Sequence, residues 1–276
     1  MSRRTTALAA AAAAVALIAS LAGCASGPAS SSGSGSSANP YGLVQPGVLR
    51  TGTLTDAPPN VYLKDNKFTG FDNDLLAAVA KKLDLKVEFV GTEFSSLLAQ
   101  VKTKKFDVGS SSITITDARK KTVDFTNKYD FGYIGLDVPA GSAITSFDQL
   151  KGKRVAVVQG TVQDDYATHE GLDPVRVPDY NTALNQLRSG TADAWISPAE
   201  IGEKTASESN GKVVAVAKKL SENGMAFAVA PGNDKLREAL NKGLDEVIAD
   251  GTWKKLVEQY YPGREVPDGF VPGSGK

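Results

Sequence analysis

The sequence predicts an α/β fold of two lobes with a cleft between them, and three observations carry that prediction. Short β-rich runs alternate with amphipathic helical stretches from Gly47 onward. The alternation falls into two series, the second beginning after Pro139-Ala140-Gly141. Extended stretches join the series, so the loops at the carboxyl ends of the strands gather at a cleft, where open parallel sheets bind their ligands.

In the first series, residues 48–53 read as a strand and 72–83 as a helix, with Leu75, Leu76, Val79 and Leu83 on one face. A strand at 87–90, a helix at 95–102 and a short strand at 106–108 follow. The second series opens with a strand at 154–158 that runs into Gln159-Gly160-Thr161. There Thr161 caps a helix reaching Glu170, with Asp164 three residues on as a variant capping box. Next come a strand at 175–177, a helix at 182–188 ended by Gly190, and a strand at 192–196. Ser197-Pro198 has the form of an N-cap with proline at the first helical position, starting a helix through Ser207. Strands at 213–216 and 225–230 precede a long helical region that breaks at Gly251 and restarts at Thr252.

The 276 residues carry 31 Lys plus Arg against 31 Asp plus Glu, with 41% hydrophobic and 22% charged residues. That composition is globular, and the charge balance argues against a nucleic-acid partner, which would require a basic excess. Arg3 and Arg4 form the basic start of a leader whose apolar run covers 7–22, too short and alanine-rich for a spanning helix. Without them the balance is 29 basic against 31 acidic. Residues 25–39 are Ser, Gly and Ala with one Pro and a final Asn39, the composition of a flexible tether. The expected organisation is a signal peptide at 1–23, a tether at 24–40 and a folded part from Tyr41.

Cys24 is the sole cysteine, so no intramolecular disulfide and no cysteine-based zinc cluster can form. His169, the sole histidine, ends a polar helix and is read as solvent-facing, and no cofactor or metal is expected. Trp195 and Trp253 are read as core or lobe-interface residues, and Lys102, Lys104 and Lys105 as a solvated helix end. Ser112, Thr114 and Arg119 lie on a strand-to-helix turn opened by Thr116, where hydroxyls, N–H groups and a guanidinium can converge on an anion. The bland alternative for Arg119 is a surface ion pair. The helix starting at Thr161, with Val162 and Gln163, can add N–H groups from the second lobe.

Leu21-Ala22-Gly23-Cys24 resembles the bacterial lipobox, which is cleaved before the cysteine so that its thiol takes a lipid. Three stretches resemble the extracytoplasmic family 3 solute-binding proteins that feed polar amino acid ABC transporters. They are Thr69-Gly70-Phe71-Asp72-Asn73-Asp74-Leu75, Lys105-Phe106-Asp107-Val108 running on to Ala118-Arg119, and Val123-Asp124-Phe125-Thr126. A weaker set comprises 150–161 and 250–252. The resemblance implies a type II periplasmic-binding-protein-like fold, each lobe a mixed sheet flanked by helices, with two hinge crossings placed near 136–140 and 224–230. Lobe one would then be 41–136 plus 228–276, and lobe two 137–227. It also implies a monomeric lipoprotein on the extracytoplasmic face of the cell membrane, binding an amino-acid-like solute and delivering it to permease subunits.

Within that resemblance Arg119 matches the residue that holds the ligand carboxylate, and Phe94 the wall that stacks on the ligand. The usual ammonium-gripping acid is replaced by Pro198, and the aromatic and acidic positions before Pro58-Pro59 are Ala57 and Leu54. Asp56 or Glu200 can substitute from nearby, or each is a solvated surface carboxylate. The ligand is accordingly an unusual amino acid or a carboxylated compound without a free ammonium. The alternative is an enzyme on the same fold, such as a dehydratase of prephenate or arogenate, with only Asp56 and Glu200 available as general acid. A receptor or lytic enzyme is disfavoured, because the chain ends near Pro272 without a further domain. Cys24→Ala should move the protein from the membrane to the soluble fraction; retention in washed membranes would refute lipidation at Cys24.

Overall fold

The computed structural model describes residues 39–275 except Glu222, so the expected leader, Cys24 and the tether up to residue 38 lie outside the described residues. The first lobe opens with β1 (Val48–Thr53) and a small sheet of β2 (Asp56–Ala57), β3 (Val61–Lys64) and β4 (Lys67–Thr69). It continues through α1 (Phe71–Lys82), β5 (Lys86–Gly91), α2 (Phe94–Lys102), β6 (Val108–Thr114), the one-turn α3 (Asp117–Lys120) and β7 (Asp124–Phe125). The second lobe holds β8 (Tyr133–Pro139), β9 (Val155–Val158), α4 (Val162–His169), β10 (Val175–Val177), α5 (Tyr180–Arg188), β11 (Ala194–Pro198), α6 (Ala199–Glu208) and β12 (Val213–Leu220). The chain then returns to the first lobe for β13 (Met225–Val229), α7 (Asp234–Ala249) and α8 (Thr252–Tyr260).

Each lobe is a five-stranded mixed sheet. The first runs β5-β1-β6-β13-β7, with β13 antiparallel to both neighbours, and the second runs β10-β9-β11-β8-β12, with β8 antiparallel to both neighbours. Helix α1 buries Leu75, Leu76 and Val79 completely, in one cluster with Leu240 and Leu244 of α7. Burial of this kind contributes about 2 kcal/mol per side chain. The second lobe has its own core of Leu136, Leu150, Val155, Val157 and Ile196. A third cluster crosses the cleft, joining Leu54, Phe94 and Leu97 to Val158, Tyr180 and Trp195. The two lobes are therefore in apolar contact.

The crossings lie elsewhere than the sequence suggested. Strand β7 ends at Phe125 and β8 begins at Tyr133, so the first crossing is 126–132 rather than 136–140. Leu136 is fully buried inside the second sheet, opposite Ile196 and Ala217. The second crossing is 221–224, because Met225–Val229 is already a strand of the first sheet. The two passes run side by side: Met225 N–H donates to the Asp130 carbonyl at 2.8 Å and Tyr129 N–H to the Met225 carbonyl at 2.9 Å. Pro139-Ala140-Gly141 has the look of a hinge but is the turn that leaves β8.

Two helix starts also differ. Ser197 does not cap α6, because its hydroxyl donates to the fully buried Asp137 carboxylate of β8 at 2.5 Å, leaving Pro198 at the N-cap. Thr161 does cap α4, accepting from Asp164 N–H at 3.3 Å, but the Asp164 carboxylate takes Gly160 N–H at 3.0 Å rather than the Thr161 amide. Gly70, the N-cap of α1, has φ +111°, and a Cβ there would overlap the Asn60 carbonyl group. Gly70→Ala should therefore lower the unfolding free energy by about 2 kcal/mol or more; an unchanged denaturant midpoint would show that the turn can relax.

Candidate functional site

The cleft holds a narrow cavity with free space of about 30 Å³, room for one or two waters, so in this arrangement the lobes lie closely against one another around it. Its floor in the first lobe is a distorted stretch of β6. Gly109 faces Ala228 and Ile113 faces Ala226, so Ser110, Ser111 and Ser112 together oppose Phe227 alone, and Ser112 takes φ +47°. Such a bulge re-aims side chains out of the ladder, and here it brings Ser111 and Ser112 to the cavity wall.

Arg119 is 8% exposed and makes no ion pair with a carboxylate among the described residues. One Nη donates to the Thr114 carbonyl at 2.8 Å, and the other reaches across the cleft to the Gly160 carbonyl at 3.1 Å. The guanidinium carbon lies 5.0 Å from the centroid of the Phe94 ring. Burial pulls its pKa down, opposed by the charges of Asp165 and Tyr180. A guanidinium carries five N–H donors, and the other three have no acceptor among the described residues. The bland reading of Arg119 as a surface ion pair does not hold.

Around it Thr114 has a hydroxyl without a partner among the described residues, and so do the backbone N–H groups of Val162 and Gln163 at the start of α4. Phe94, Ser112, Thr114, Arg119, Thr161, Val162 and Gln163 all line this one cavity. Two of them have their hydroxyls engaged. Ser112 donates to Asp72 at 2.5 Å and accepts from the Asn60 amide at 2.8 Å, and Thr161 donates to the Val158 carbonyl at 2.7 Å. They shape the wall rather than offer a free donor.

Asp56 and Glu200 do not reach the cavity. The Asp56 carboxylate accepts from Asn181 N–H at 2.9 Å, tying the small sheet to the start of α5 across the cleft. Glu200 is 9% exposed and lines a separate interlobe groove with Tyr133, Tyr261 and Arg264, near the buried Asp130–Arg264 ion pair of 2.5 Å. Neither Glu200 oxygen has a hydrogen-bond partner among the described residues, and desolvation pushes its pKa up to about 7. Desolvation likewise raises Asp72 to about 7, and this carboxyl stands behind Ser112, one layer away from the cavity.

Leu54 and Ala57, marked above as departures from the family pattern, line the wall too. Further wall residues are not evident from the sequence: Asn60 and Val61 at the small sheet, and Tyr180 and Ile201 at helix starts. Their signal was topological: two- to four-residue strands carry little periodicity, and Tyr180 stands one residue after the Asp179 cap.

Two mixed-sheet lobes, paired crossings and a cleft with a buried guanidinium that no carboxylate pairs among the described residues define a bilobal fold. Residues 49–263 match the bacterial extracellular solute-binding proteins, family 3, and the chain belongs to that family. It is 34% identical over 229 residues to the probable amino-acid-binding protein YxeM of Bacillus subtilis, covering 78% of this chain and 84% of that protein. It is similar to the solved structure of an ancestral arginine-binding protein bound to arginine, with TM-score 0.73 and 34% identity over 78% of this chain and 98% of that one. It is also similar to the ancestral amino acid-binding protein AncCDT-1, described as a precursor of cyclohexadienyl dehydratase. That match has TM-score 0.72 and 33% identity over 78% of this chain and 96% of that one.

Glu200 sets a pH dependence. Unfolded it ionises near 4.5, and buried it keeps its proton up to about 7, so its contribution is complete below 4.5 and is lost as pH rises through about 7. The thermal midpoint should fall over that window, and Glu200→Gln should make the fall shallower; an identical slope in the variant would mean that Glu200 is hydrated in the folded protein.

Proposed function

We propose that this protein is the solute-receiving lipoprotein of an ABC importer. It binds an amino acid or amino-acid-like carboxylated solute between its lobes and delivers it to the permease. The lipid on Cys24 holds it at the outer face of the membrane.

The observation that carries the reading is Arg119. A cation buried between lobes with unused N–H donors is incomplete until an anion arrives, and a guanidinium fork matches a carboxylate bidentately. Thr114 and the first N–H groups of α4 can bind the same carboxylate from both sides of the cleft, so ligand favours the closed form by contacting both lobes at once. Micromolar affinity, about −8 kcal/mol, is within reach of such a set. Dehydratase chemistry fits less well. It needs a general acid in the cleft, and among the described residues the cavity wall has only Arg119 and Tyr180 as ionisable groups, the latter raised further by burial.

The test is a thermal-shift screen of the purified protein with amino acids, betaines, cyclic imino acids and dicarboxylates. A bound solute should raise the midpoint by mass action. Arg119→Ala should weaken that binding on the order of 100-fold, about 3 kcal/mol. Retention of full affinity in Arg119→Ala would remove the basis of the reading.

A further inference from the structure

Although relatives of this chain are named for amino acids, the cavity has the wrong charge for a free ammonium. No Asp or Glu lines it among the described residues. The carboxylates nearby are committed or outside, Asp164 among them, which takes Gly160 N–H and pairs with Arg176. Asp56 is held by Asn181 N–H, and Asp72 lies behind Ser112 and takes its hydroxyl. Asp165, whose charge Arg119 feels, is exposed and does not line the cavity, and Glu200 faces the other groove.

The backbone carbonyls nearest the guanidinium, those of Thr114 and Gly160, already accept from Arg119 and are not open to an ammonium. A second cation placed there would face the guanidinium across a desolvated space, where like charges repel strongly. The remaining wall is apolar, with Leu54, Val61, Ile201 and Met225, or neutral and polar, with Gln163 and the Tyr180 hydroxyl. Neither polar group has a partner among the described residues, so both remain available to an oxo, hydroxyl or amide group.

We infer that the solute class is a monocarboxylate without a free ammonium: an apolar-bodied acid whose α-substituent is oxo, hydroxyl or acylated nitrogen. Resting on the carboxylate reading above, this inference excludes cationic amino acids altogether. An acid on the cavity wall would supply what is missing. Pro198 lines the cavity at the N-cap of α6, a position at which aspartate is also a favourable cap. Pro198→Asp should therefore convert the site to ammonium-bearing ligands.

The test is isothermal titration of the purified protein with matched pairs, pyruvate with alanine, 4-methyl-2-oxopentanoate with leucine, and phenylpyruvate with phenylalanine, and with arginine alone. In the wild-type protein the oxo acid of at least one pair should bind at least 10-fold tighter than its amino acid, and arginine should give no binding. Pro198→Asp, or Ile201→Glu if the first variant does not fold, should reverse that order. An amino acid, arginine included, that binds the wild type as tightly as any oxo acid and loses affinity in Arg119→Ala overturns this inference and leaves the carboxylate reading standing. Silence in the wild type from these compounds and from their α-hydroxy and N-acetyl counterparts overturns the inference, and the carboxylate reading falls with it only if no carboxylated solute of the thermal-shift screen binds either.

Discussion

The cleft is arranged around a guanidinium that is buried without a paired carboxylate among the described residues. Removing a cation from water is costly unless its hydrogen bonds are replaced, and Arg119 replaces only some of them, through two carbonyls and the face of Phe94. One of those carbonyls, at Gly160, belongs to the opposite lobe, so the same side chain that awaits an anion also bridges the lobes. The bulge in β6 and the Thr116 cap of α3 place this arginine, since the Thr116 hydroxyl accepts from Arg119 N–H at 3.2 Å. An anion at this point completes the hydrogen bonding of both sides, which links binding to closure.

A second set of buried charges lies at the crossings. Asp130 pairs with Arg264, whose guanidinium stacks on Tyr261 at 3.9 Å and on Phe131 at 4.4 Å. The Trp253 indole N–H donates to the Tyr129 carbonyl at 2.8 Å, fixing α8 against the first crossing. The region after α8 therefore braces the crossings between the lobes, while Glu200 of the second lobe rests against it as a buried carboxyl. Arg264 is matched by Asp130 and Arg119 is not, and that contrast separates a structural arginine from a receptive one.

The sequence revealed the parts governed by local rules. Apolar periodicity located α1, the caps located α4 and the α7–α8 break, and β1 and β10 were bounded correctly. It missed what depends on partners distant in the chain. Ser197 has the chemistry of a cap, but Asp137 on the neighbouring strand claims its hydroxyl. Strand β6 looked like three residues because the serines after Val108 have low strand propensity, and pairing with β13 carries the strand on to Thr114. That Arg119, Thr114 and the start of α4 lie together in the cleft was legible because strand-to-helix turns and helix caps have local signatures. Asp56 and Glu200 were not, because two carboxylates near a cleft look alike in sequence whether they face ligand, a helix end or a hinge.

The most direct measurement is a crystal structure of the protein with a bound carboxylate solute. The account predicts two carboxylate oxygens within about 3 Å of Arg119 nitrogens, with Thr114 and the Val162 and Gln163 N–H groups as the other donors. A solute carboxylate held elsewhere, with Arg119 still bonded only to the Thr114 and Gly160 carbonyls, would contradict it.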